Sequence, residues 1–206
     1  SGADMPLPFS RLQCHTKRGS DLCFVDSSVV LATSGLSHGS VGTSLCLWDV
    51  LLPPAQALVA SCAAHPDGGR CIAHCTADRS LISGGENGDL AIFDLRQRRI
   101  REKWRAHTMA VQALALVQGP WCFSASADAD VKLWRLGAPR TPSDDEENFP
   151  AQGHWPNAHE AHALLGPLVA SKLGRSGVTA LEFATRPSSL ISGGADGRVK
   201  LWSVEY

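Results

Sequence analysis

His107-Thr-Met-Ala-Val111-Gln-Ala-Leu-Ala-Leu-Val117-Gln-Gly-Pro-Trp121-Cys-Phe-Ser-Ala-Ser126-Ala-Asp-Ala-Asp-Val131-Lys-Leu-Trp134 is the stretch that decides the fold. It holds three short β-patterned runs, joined by a Gly119-Pro120 break and by a turn at Asp128. Each run is too short to make a stable helix, and the separators are turn formers. Counted back from Trp134, Asp128 lies six residues earlier, Ser124 ten and His107 twenty-seven. Such a set can satisfy itself inside a sheet, because indole N–H, hydroxyl, imidazole and carboxylate offer a matched series of donors and acceptors.

In this spacing the stretch resembles one blade of a WD-repeat propeller. The resemblance implies a buried relay from Asp128 to His107, on to Ser124, and from there to the indole of Trp134. The same residue types could make a hydrolase triad, but Ser124 sits in Phe-Ser-Ala rather than in a Gly-x-Ser-x-Gly elbow. A serine committed to a tryptophan inside a sheet has no access to substrate. The relay is therefore read as structural, with no catalytic residue and no cofactor.

Related units lie on both sides. Ser80-Leu-Ile-Ser-Gly-Gly85 recurs as Ser189-Leu-Ile-Ser-Gly-Gly194 at an offset of 109, and the closing aromatics are Trp48, Phe93, Trp134 and Trp202. Their spacings of 45, 41 and 68 fall to the forty-odd residues typical of this repeat once the stretch 137–163 is set aside as an insertion. The expected fold is all-β, a WD-repeat β-propeller with about four blades at roughly 15–62, 65–105, 107–172 and 177–204. The family mostly closes with seven blades, which makes this the C-terminal part of a larger ring.

The relay is expected to vary from blade to blade. In the first, the positions six and ten before Trp48 are Gly42 and His38, so a lengthened turn breaks the pattern. In the second, His65 and Ser83 are present, Asn87 replaces the acid and Phe93 replaces the tryptophan. In the fourth, Ser192 and Asp196 stand ten and six before Trp202, but the preceding loop 174–176 has no histidine. Outer strands are expected at 7–13, 57–60, 100–105 and 164–172. The insertion 137–163, acidic and rich in Pro and His, is expected to be disordered.

Composition excludes several function classes. A formal net charge of −1 over 206 residues gives no polyanion-binding field, and the basic cluster lacks interleaved stacking aromatics beyond Trp104. Nucleic acid is not an expected partner. No apolar run is long enough to span a membrane. Seven cysteines, an odd number scattered through apolar runs, read as reduced buried thiols of a reducing compartment. His159-Glu-Ala-His162 fails the spacing of a zinc-protease helix, and no metal site is expected.

Cys46-Leu-Trp-Asp49, Leu81-Ile-Ser-Gly-Gly85 and above all Ile92-Phe-Asp-Leu-Arg-Gln-Arg-Arg99 resemble the C-terminal propeller of the rabconnectin/DmX-like family. That family promotes assembly of the vacuolar proton-pumping ATPase. The resemblance implies a non-catalytic scaffold, cytoplasmic and peripheral on endomembranes, whose partner is the pump's soluble sector. Arg96, Arg98 and Arg99 are the candidate partner contacts. Alternatively, Phe93-Asp94-Leu95-Arg96 resembles the ending of cullin-ligase substrate receptors, in which the arginine meets a cullin adaptor.

Overall fold

The computed structural model describes residues 11–26, 29–37, 43–137, 150–159, 177–186 and 188–204. Four antiparallel sheets follow one another along the chain. The first contains β1 (Arg18–Val25), β2 (Val30–Leu36), β3 (Leu45–Asp49) and β4 (Leu58–Cys62). The second contains β5 (Gly69–Cys75), β6 (Ser80–Gly85), β7 (Asp89–Asp94) and β8 (Arg99–Arg105). The third contains β9 (Val111–Val117), β10 (Trp121–Ser126), β11 (Val131–Arg135) and β12 (Gly153–Trp155). The fourth has three described strands, β13 (Val178–Thr185), β14 (Ser188–Gly194) and β15 (Val199–Ser203).

Each sheet is a meander, with every strand paired to its sequence neighbour. The first strands pack against one another in the order β1, β5, β9, β13, so the sheets radiate as propeller blades. Alternation decides which side chains fill the gaps between blades. Ala32, Leu45, Leu47, Ile72, Leu81 and Phe93 pack between the first and second blades. Ile82, Leu90, Ile92, Cys122 and Trp134 pack between the second and third, where Trp104 meets Trp134 edge-on at 5.6 Å. Phe123, Ala125, Val131, Val178, Leu181 and Phe183 fill the last gap, with Phe123 stacked on Phe183 at 6.3 Å.

Two expectations about strands change. The supposed insertion is not structureless throughout: β12 pairs with β11 through Val131↔Trp155, Lys132↔His154 and Leu133↔Gly153. It is anchored by Trp155 against Phe123 at 5.7 Å and by the buried Ala158. A low apolar content hid this strand, because a single tryptophan supplies its hold. The outer strand of the third blade thus lies at 153–155, and the stretch expected for it, 164–172, lies outside the described residues, as does most of 7–13. Residues 11–13 are not in a strand; Leu12 and Cys14 pack instead on Cys46 and Trp48 of the first blade.

Candidate functional site

The relay of the third blade is formed as its spacing predicts. The indole Nε1–H of Trp134 donates to Ser124 Oγ at 2.7 Å, and Ser124 Oγ lies 2.7 Å from His107 Nε2. His107 Nδ1 is 3.2 Å from both carboxylate oxygens of Asp128. The Ser124 hydroxyl accepts from the indole and bridges it to the imidazole, whose other nitrogen faces the carboxylate. All four groups are satisfied. Burial by itself raises the Asp128 carboxyl, but the hydrogen bond and favourable electrostatics of His107 outweigh it, holding the group well below the usual carboxylate range. Ser124 is fully buried with both neighbours engaged, a geometry for holding a sheet together.

The fourth blade also has its histidine. His159 Nδ1 is 3.0 Å from Asp196 Oδ1, His159 Nε2 is 2.9 Å from Ser192 Oγ, and Trp202 Nε1–H donates to Ser192 Oγ at 2.8 Å. The loop expected to carry it, 174–176, a few residues before the first strand, has no histidine. His159 stands instead just after β12, ahead of residues 160–176. A signal was present: Ala64-His65, Ala106-His107 and Ala158-His159 share the same dipeptide, each shortly after the preceding blade's outer strand.

In the second blade the acid is Asp89, not position 87. His65 Nδ1 is 3.0 Å from Asp89 Oδ2 and His65 Nε2 is 2.9 Å from Ser83 Oγ, while Asn87 turns its amide to Asp67. Burial raises the Asp89 carboxyl, yet His65 and Lys103 together hold it well below the usual range. In the first blade, Thr33 does what serine does elsewhere. Trp48 Nε1–H donates to Thr33 Oγ1 at 3.1 Å and His15 Nε2 lies 3.1 Å from the same oxygen. The long β2–β3 turn places Thr33 fifteen residues before Trp48, which is why counting ten back misses it. Ser37 Oγ, 3.5 Å from His15 Nδ1, stands where the acid would be. Burial lowers the His15 pKa, the direction expected of a desolvated ring.

A second device recurs with the relay. The carbonyl just before each relay histidine is capped by a side chain from the facing sheet. Lys132 Nζ donates to Ala106 O at 2.6 Å, Lys200 Nζ to Ala158 O at 2.6 Å, Lys103 Nζ to Ala64 O at 2.8 Å, and Cys46 Sγ to Cys14 O at 3.7 Å. The Ser-Gly-Gly repeat has its reason here too. A Cβ on Gly85 or Gly194 would run into the His65 or His159 ring, so the histidine seats only over a bare backbone.

Of the candidate contacts, Arg96, Arg98 and Arg99 are exposed around the β7–β8 turn. The turn is held by Asp94, whose Oδ1 accepts the Arg96 and Gln97 amides at 2.9 and 2.7 Å. Arg99 Nε donates to Gln97 Oε1. Among the described residues no cluster of three or more His, Cys, Asp or Glu could hold a metal ion, and no helix is long and apolar enough to cross a membrane. All seven cysteines are free thiols; burial pushes Cys46 up to about 12 and Cys62 to about 11.

Comparison with known proteins agrees with this geometry. The family described as "WD domain, G-beta repeat" matches residues 166–203. DmX-like protein 1 of Mus musculus is 33% identical over 199 residues, which is 96% of this chain and 6% of that protein. The Homo sapiens protein of the same name is 38% identical over 133 residues, 64% of this chain and 4% of its own length. This chain is a WD-repeat segment homologous to DmX-like protein 1. The computationally designed Ika4 protein shares the fold of these WD repeats, with a TM-score of 0.65 at 20% identity, covering 98% of this chain and all of Ika4. The WD repeats here span only a small fraction of the DmX-like chains they match.

Proposed function

We propose that this chain is a non-catalytic protein-interaction scaffold serving assembly of the vacuolar proton-pumping ATPase, acting from the cytoplasm at endomembrane surfaces. The observation that carries this reading is the 33% identity to DmX-like protein 1 across 96% of the chain. That identity is supported by the distinctive run from Ile92 to Arg99. The recognisable chemistry of the blades is spent on their own structure, as in the buried relay of Ser124, which leaves binding as the work of the exposed rims. In this reading the four blades are part of a larger ring of about seven, and Arg96, Arg98 and Arg99 belong to a docking rim.

Affinity capture of the tagged chain from cell extract, with partners identified by mass spectrometry, tests it. Recovery of soluble-sector pump subunits is the expected result. Recovery of a cullin adaptor instead, lost on Arg96→Ala, would overturn the reading in favour of a ligase substrate receptor.

A further inference from the structure

The first and second blades leave a groove of about 290 Å³ between them at the rim that carries the β1–β2, β3–β4, β5–β6 and β7–β8 turns. Its floor is apolar: Val25 and Leu47 are buried, and Val30, Val59 and Leu95 are half-buried. Its lip is cationic. Arg79, Arg96 and Arg98 border it, and Asp26 is the one acid among its described lining residues. Asp26 is itself engaged by His74 at 3.4 Å and by Arg79 at 3.9 Å, and Arg79 is 76% exposed. Arg96 and Arg98 make no ion pair among the described residues, so their charge faces outward unspent.

The backbone supports the same reading. Asp26, Arg79 and Arg98 all adopt left-handed φ values, of 48°, 53° and 53°. Glycine or asparagine fits such turn positions with less strain than a long cationic side chain does. Two equivalent turns of one blade, β5–β6 and β7–β8, each place an arginine at this strained position and both border the groove. On the same rim the β3–β4 turn exposes Leu51 (75%) and Leu52 (43%), extending the apolar surface.

We propose that this groove is a peptide-docking site whose occupant is an acidic segment of a partner protein carrying an apolar anchor. The anchor would bury against Val30, Val59 and Leu95, while flanking Asp or Glu carboxylates pair with Arg79, Arg96 and Arg98. The assignment rests on charge complementarity and does not depend on which assembly the chain serves.

The test is fluorescence anisotropy with the full 206-residue chain. The probe is a short labelled peptide in which two adjacent leucines are flanked on both sides by Asp and Glu. It should bind, and binding should weaken as salt rises from ~50 to ~300 mM. The Arg96→Glu/Arg98→Glu chain should bind at least about tenfold more weakly, whereas Lys17→Glu, an exposed reversal elsewhere on the first blade, should bind as the unaltered chain does. Peptides with the acids changed to Asn and Gln, or with the leucines changed to serine, should each lose most of the affinity. Equal binding by the double-arginine variant, equal binding of either altered peptide, or no binding of the acidic peptide would overturn the proposal. Both arginines are exposed, so unchanged thermal unfolding of the variant separates lost docking from lost fold.

Discussion

Lys103 stands directly across from Ala91 in the β7–β8 pair, and its ammonium caps the carbonyl of Ala64. In the third and fourth blades the corresponding lysines, Lys132 and Lys200, come from the position two before the tryptophan, which in the second blade is Ala91. The cation has moved one strand outward and still reaches the carbonyl before the relay histidine. From there it also pairs with Asp89 at 2.7 Å, the acid that has itself moved two residues along the chain. Lys103→Met should therefore destabilise the chain by about 1 kcal/mol, because Asp89 and the Ala64 carbonyl both lose a half-buried partner. Ala91→Lys added to it should restore most of the loss, read by urea denaturation of the single and double variants. No recovery would mean the two positions are not equivalent.

His159→Ala should cost about 3–5 kcal/mol, since it leaves the 7%-exposed Asp196 carboxylate and the Ser192 hydroxyl without their shared partner. A double-mutant cycle of His159→Ala with Asp196→Ala should show a coupling above about 1 kcal/mol. Additive effects would place the histidine outside the relay.

Trp134→Ala removes both the edge-on contact with Trp104 and the donor to Ser124, and should cost about 3–5 kcal/mol. Near-ultraviolet circular dichroism should lose the contribution of the Trp104–Trp134 pair along with stability. A variant that keeps its unfolding midpoint would contradict the placement of this side chain.

Gly194→Ala should destabilise by roughly 1–3 kcal/mol, because the new methyl must displace the His159 ring. The neighbouring Gly193→Ala, whose added Cβ meets only the Ala180 side chain at 3.5 Å, should be much milder. Comparing the two thermal midpoints checks this, and equal shifts would refute it.

Asp89 and Asp128 are both held below the ordinary carboxylate value. A group depressed in the folded state binds its proton more weakly there than in the unfolded chain. Its contribution to stability is full above the unfolded value, near pH ~4, and is lost as pH falls below it. Unfolding free energy measured from neutral pH downward should start to drop near pH ~4. Asp128→Asn should flatten that drop.

The blade frame was legible because it rests on strictly local patterns: alternation within runs of five to seven residues, turn formers between them, and a closing aromatic. The third relay was legible in full because its turn is short and every member keeps its count from Trp134. Counting failed wherever the geometry is set through space. Thr33 is displaced by a long turn, Asp89 reaches His65 from a different rung of the hairpin, and His159 is held by the end of the blade before its own. β12 was missed because three residues and one tryptophan carry too little pattern to register. The groove between the first two blades was only half visible, as an arginine run whose apolar floor comes from strands distant in sequence.

The placement of His159 changes what counts as a unit of this chain. His65, His107 and His159 each follow the outer strand of one blade and are locked into the sheet of the next, so the covalent joint between neighbours is also part of the neighbour's interior. A fragment begun at the first strand of the fourth blade, or at residue 166 where the repeat match starts, would leave its own keystone behind. Dissection of this chain for expression, crystallisation or domain exchange is best done just ahead of residues 64, 106 and 158.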